Sequence, residues 1–158
     1  MTALLLGVVG CSSGGPGTFQ DDSLSFRYPS GWYVTGFSTT NSPRRLAVTS
    51  YVVPEDAVEG DCGGLAAVQR LTADGAFVIL IDYGDAGSDE FPPPPRPFRL
   101  ADGQFAEYEC FGASTMFRFS SRDHDLQAHV GLGTCAGDAR RRDALAILDS
   151  LVGPPPGG

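Results

Sequence analysis

The run Ala76-Phe77-Val78-Ile79-Leu80-Ile81 constrains the fold more than any other stretch, because six consecutive apolar residues leave no polar face to turn toward water. A strand of this kind sits at the centre of a sheet with both faces covered. The segments before it read as edges and flanks. Leu24, Phe26 and Tyr28 alternate with Ser25 and Arg27, the period of a half-buried strand, and Pro29-Ser30-Gly31 supplies a reversal. Trp32 to Phe37 reads as the next strand, antiparallel to the first. Arg45 to Val53 gives a third, with Leu46, Val48 and Val52 on one face, Thr49 and Tyr51 on the other, and Pro54 ending it.

Residues 65–71 place Leu65, Val68 and Leu71 at helical spacing, and Asp74-Gly75 closes that short helix. After the central strand, residues 84–98 are too rich in proline for regular structure and form the longest loop. Gln104 to Phe111, Thr115 to Ser121 and Leu126 to Leu132 then make a strand meander, connected by Gly112-Ala113-Ser114 and by Arg122-Asp123-His124-Asp125. In its last strand Leu126, Ala128, Val130 and Leu132 face the core, and Gln127 and His129 face away. A final helix opens at Asp138 as N-cap, carries Ala144, Leu145, Leu148, Leu151 and Val152 on one side, and stops at Gly153 and Pro154. The expected class is α+β, a mostly antiparallel sheet with helices packed on it.

With 158 residues, 42% of them hydrophobic, the chain supports one core. A net charge of −8 argues against nucleic acid as partner, since that affinity rests on basic residues neutralising phosphates. Every basic residue is arginine, which reads as codon bias and removes Schiff-base, phosphate-loop and Ser-Lys chemistry.

Residues 1–10 form an apolar run of signal-peptide length, although no positive residue precedes it. Val8-Val9-Gly10-Cys11 resembles the lipobox of bacterial lipoproteins, which implies a lipid on Cys11 and a domain held outside the cytoplasm. Ser12 to Gly17 reads as a flexible tether. The expected divisions are a leader and tether at 1–18, one folded domain at 19–153 and a disordered tail at 154–158.

The strand and turn Phe26-Arg27-Tyr28-Pro29-Ser30-Gly31-Trp32, the antiparallel sheet and the terminal Ile147-Leu148-Asp149-Ser150-Leu151 together resemble the Mog1/PsbP-like group, which includes actinobacterial surface lipoproteins. The resemblance implies an α/β/α sandwich over residues 19–153. It implies no single activity and supplies no catalytic residues.

A search for chemistry returns few candidates. His124 reads as a solvated turn residue, and its odd spacing from His129 puts the two on opposite strand faces, against a shared metal. Ser30, Ser114 and Ser150 lack the nucleophile elbow, and nothing in the sequence sets a histidine beside them. Asp82, Asp85, Asp89 and Glu90, at and beyond the central strand, offer oxygens for a hard cation or simply a solvated loop. Arg140, Arg141 and Arg142 lie in the first turn of the last helix, where positive charge opposes the macrodipole, so they read as an anion patch or as tolerated surface.

With Cys11 set aside, Cys62, Cys110 and Cys135 leave one thiol over in an oxidising compartment. Cys62 with Cys110 is the expected bridge, with Cys110 and Cys135 as the open alternative. No catalytic residue, cofactor or resident metal is expected. The functional expectation is a lipid-anchored accessory or binding domain whose partner is the membrane and an envelope protein or small ligand. The rival classes are a small cation-dependent hydrolase working at residues 82–90 and an envelope structural protein.

Overall fold

The computed structural model describes residues 15–37, 43–54, 64–85, 91–122 and 124–153. Its elements run β1 (Gly17–Gln20), β2 (Ser25–Tyr28), β3 (Tyr33–Phe37), β4 (Arg44–Thr49), α1 (Leu65–Gln69), β5 (Ala76–Asp85), β6 (Gln104–Tyr108), β7 (Gly112–Ser121), β8 (His124–Leu132) and α2 (Asp138–Ser150). A six-stranded sheet in the order β3-β4-β5-β8-β7-β6 carries the structure, and β1 pairs with β2 in a separate two-stranded sheet. All these pairs are antiparallel. The class is α+β.

β5 is central, as its composition requires. Its side chains divide strictly by parity: Ala76, Val78 and Leu80 enter one core cluster, and Phe77, Ile79 and Ile81 enter the other. The first cluster is closed by Ala144, Ile147, Leu148 and Leu151 at α2, with Leu24, Phe26, Trp32 and Phe98 beside them. The second is closed by Ala67 of α1, with Val53, Tyr51 and Phe111. Phe77, Ile79 and Leu80 are fully buried, each contributing roughly 1.5–3 kcal/mol relative to exposure. Opposite Phe77 stands Gly131; a Cβ there would lie 2.1 Å from the Phe77 ring, so only glycine admits the phenyl group.

Two attachments hold the first face closed. Ser25 and Val152 exchange backbone hydrogen bonds of 2.9 and 2.8 Å, tying β2 to the chain just past α2. Residues 91–99 then strap β7 to α2: the Ser120 amide donates to the Pro92 carbonyl at 2.8 Å, and the Phe98 amide donates to Asp149 Oδ1 at 2.8 Å. The Phe98 ring sits edge-on to Phe117 and Phe119, and the Arg96 guanidinium donates to the Leu151 carbonyl.

Several expectations from the sequence require correction. β2 and β3 are not a hairpin: Gly31, at φ +76°, turns the chain from the small sheet into the large one. Ordered strand begins at Gly17, inside the expected tether, because β1 pairs with β2 there. β4 stops at Thr49, which leaves Val52 60% exposed rather than in the core. Gly112 to Ser114 belong to β7, and the preceding connection is 109–111. His124 starts β8 instead of occupying the turn. Gln127 and His129 face the second layer and are buried, not solvated. Gly137, not Asp138, is the N-cap of α2, and no side chain caps it. Residues 154–158, expected as a tail, lie outside the described residues.

Candidate functional site

Each face of the sheet carries one polar cluster. On the second face, β8 directs Gln127 and His129 toward the layer of α1 and Phe111, and β7 directs Ser114 and Arg118 the same way. Hydrogen-bond logic fixes the protons along this row. Arg118 Nε only donates, so its partner at 3.3 Å is Gln127 Oε1, which also accepts from the Tyr83 hydroxyl at 3.4 Å. The amide nitrogen of Gln127 is thereby turned toward His129 and donates to Nε2 at 2.6 Å. That makes Nε2 the bare nitrogen. Nδ1 carries the proton and donates to Ser114 Oγ at 3.0 Å.

The imidazole is sealed by aromatic rings. Phe111 stacks on it at 4.4 Å between centroids, and Tyr108 meets it edge-on at 5.8 Å. The Arg45 guanidinium lies over the outer ring, 5.6 Å from the Phe111 centroid. Burial, and secondarily the charge of Arg118, lowers the His129 pKa to about 4, so the ring is neutral at neutral pH. The expectation that no histidine lies beside a serine is therefore wrong for Ser114. The pair still has the wrong polarity for nucleophilic catalysis, because a base must accept the hydroxyl proton and this imidazole presents its own.

On the first face, Asp82 is 6% exposed and accepts from the Gly84 amide at 2.8 Å. His124 Nδ1 lies 2.9 Å from the same oxygen. Asp82 is thus a strand residue with local partners, not a member of a solvated loop. Its register partner on β4 is Arg44, whose guanidinium pairs with Asp21. Burial alone would raise the Asp21 carboxyl, but hydrogen bonds from Arg44 and from the Leu24 and Ser23 amides outweigh it and hold the pKa below the ordinary value. Two contacts therefore stand side by side at the end of the sheet, Arg44–Asp21 fastening the turn after β1 to β4 and His124–Asp82 joining β8 to β5.

The remaining candidates are dispersed. Asp85 ends β5, in register with His124, whereas Asp89 and Glu90 lie outside the described residues. Among the described residues, no three His, Cys, Asp or Glu side chains gather closely enough to hold a metal. Arg141 and Arg142 are exposed and Arg140 is half-buried; Arg141 reaches Asp138 at 3.4 Å in water, a contact worth little. Cys110, in the β6–β7 connection, is disulfide-bonded, and Cys135 is a free, exposed thiol. Cys11 and Cys62 lie outside the described residues. No helix among the described residues is long and apolar enough to cross a membrane.

The row from Tyr83 to Ser114 was absent from the sequence reading. One signal for it existed: β8 adjoins the doubly covered β5, so its alternate face is covered as well, and Gln127 and His129 on that face require buried partners. In comparisons with known proteins, no family model, no curated protein and no solved structure matches the chain.

Proposed function

We propose that this chain is a non-catalytic accessory or binding domain of the Mog1/PsbP-like type, held outside the cytoplasm by lipid on Cys11. The observation that carries the reading is the position of β1. Ordered strand starts at Gly17, so Ser12 to Pro16 alone separate the lipobox cysteine from the sheet, the spacing of a short tether between anchor and domain. The disulfide at Cys110 is consistent with an oxidising compartment. The protonation of the Ser114–His129 pair supports a role without nucleophilic chemistry. Two acyl chains suit an acidic domain, since a charge of −8 gives it no electrostatic hold on an anionic bilayer.

The test is expression with the native leader in a bacterium that processes lipoproteins. Wild type is expected to partition into detergent with a mature mass that includes a diacylglyceryl group at Cys11, and Cys11→Ser is expected to be released or left unprocessed. Identical fractionation of the two, with no lipid in the mature mass, would sink the reading.

A further inference from the structure

We propose that β6 is a docking edge for an extended, basic segment of another protein, which adds to the six-stranded sheet as a seventh strand; this rests on the binding-domain reading. β6 ends the sheet, and no described strand pairs with its outer side. Most of its residues are exposed: Gln104, Phe105 and Glu107 face solvent, Tyr108 is partly accessible while packing on Phe111 and His129, and Ala106 alone is buried. Phe105 is 77% exposed, the highest value of any large apolar side chain described. An edge strand is ordinarily blunted by bulges, prolines, short length or charged side chains; β6 has no proline and keeps a regular register with β7, and its one charge is Glu107.

A shallow, open depression lies beside the edge. On the α2 side of the sheet, Phe105 rims a depression of about 150 Å³ whose other walls are Ala113, Ser114, Thr115, Val130 and Leu132. Phe105 and Thr115 are cross-strand partners, as are Thr115 and Val130, so the depression runs directly across β6, β7 and β8. Glu107 pairs with Ala113 and lies on the same face as Phe105, two residues along. An added strand would therefore present an apolar residue at Phe105 and, two residues away, a charge at Glu107.

Charge decides the occupant. Residues 100–110 contain Asp102, Glu107 and Glu109 and no basic residue, and the whole chain carries −8. A second copy docking edge to edge would bring two acidic edges together, with no basic residue of β6 to offset them. A segment carrying an aliphatic residue and a Lys or Arg two positions apart, hence on one face of the added strand, meets both demands, with main-chain hydrogen bonds supplying affinity and those side chains supplying selectivity.

The test uses the full chain carrying Cys11→Ser, isotope-labelled, titrated with the synthetic peptide acetyl-Lys-Thr-Val-Thr-Lys-Thr-Val-amide, which sets Lys and Val in turn along one face, and with its counterpart in which every Lys is Glu. Saturable amide shifts confined to residues 104–108 and 113–116, seen with the basic peptide only, are expected. Phe105→Ser and Glu107→Arg, both at exposed positions that should fold normally, are each expected to weaken binding about tenfold, a loss of about 1.4 kcal/mol. Absence of saturation, shifts elsewhere, equal binding of the acidic peptide, or variants that bind like the parent would overturn the proposal. So would sedimentation showing a dimer that Phe105→Ser dissociates, because the edge would then belong to a second copy. Detergent partition of the lipidated protein does not depend on β6, so failure here leaves the anchoring result to be judged separately.

Discussion

Acid should destabilise this domain through His129 earlier than through its carboxylates. The ring is fully buried, and its pKa falls from the ordinary 6.5 to about 4 in the folded state. Between those values the unfolded chain binds a proton that the folded chain refuses. The contribution of the neutral, buried ring is therefore complete above pH 6.5 and is lost as pH falls toward 4. A gap from 6.5 to about 4 corresponds to about 3 kcal/mol, a large part of the stability of a single domain.

Two measurements check this. Urea unfolding at steps from pH 7 to pH 4 should show wild type losing up to about 3 kcal/mol more than His129→Gln, whose amide does not titrate, while losses from distant carboxylates cancel in the difference. The variant starts lower, because the stacking on Phe111 goes and Ser114 and Gln127 lose a partner. Should it fail to fold, wild type alone suffices: with only two histidines, imidazole nitrogen NMR resolves each one. One ring is expected to stay neutral down to about pH 4 with its proton on Nδ1. A pKa at or above 6 for His129, or a proton on its Nε2, would refute the hydrogen-bond assignment as well as the pH dependence.

Phe98→Ala should cost about 3–5 kcal/mol in urea unfolding, because the ring fills the space against Phe117 and Phe119 and fixes the strap over α2; a loss below about 1 kcal/mol would mean the strap contributes little. Non-reducing peptide mapping should recover Cys62 with Cys110, and reduction should remove up to roughly 4 kcal/mol by the chain-entropy account. Cys135→Ser should leave both mapping and stability unchanged, since that thiol is free and exposed. A Cys11–Cys110 peptide would contradict the pairing and the lipid anchor together.

What the chain disclosed before its structure, and what it withheld, follows from how local each signal is. The apolar run of β5 was decisive because no neighbour can alter what six consecutive apolar residues demand. The meander β6-β7-β8 was legible for a related reason, as its strands alternate and are joined by short connections. Pro29-Ser30-Gly31 was ambiguous: the same residues serve a hairpin or a corner between two sheets, and the choice is made by β1, whose pairing with β2 appears in neither strand alone. Gly17 shows this from the other side. It looks like tether, yet a Cβ there would sit 2.1 Å from the Tyr28 ring, so the residue is small because a strand partner covers it.

The polar clusters were the least legible, and for a physical reason. Gln127 and His129 in alternation read as a water-facing strand, because burying them costs free energy unless each donor and acceptor is met. They are met, but by Tyr83, Arg118 and Ser114 from two other strands, and closure of such a row is a property of register rather than of any segment. His124 was misplaced similarly. Arg122 takes φ +49°, which turns the chain immediately after β7 and lets His124 enter the strand and meet Asp82. A sheet covered on both faces thus has no side on which a polar residue is automatically solvated, and in such a fold each polar residue on a central strand calls for a search for its partner before it is assigned to water.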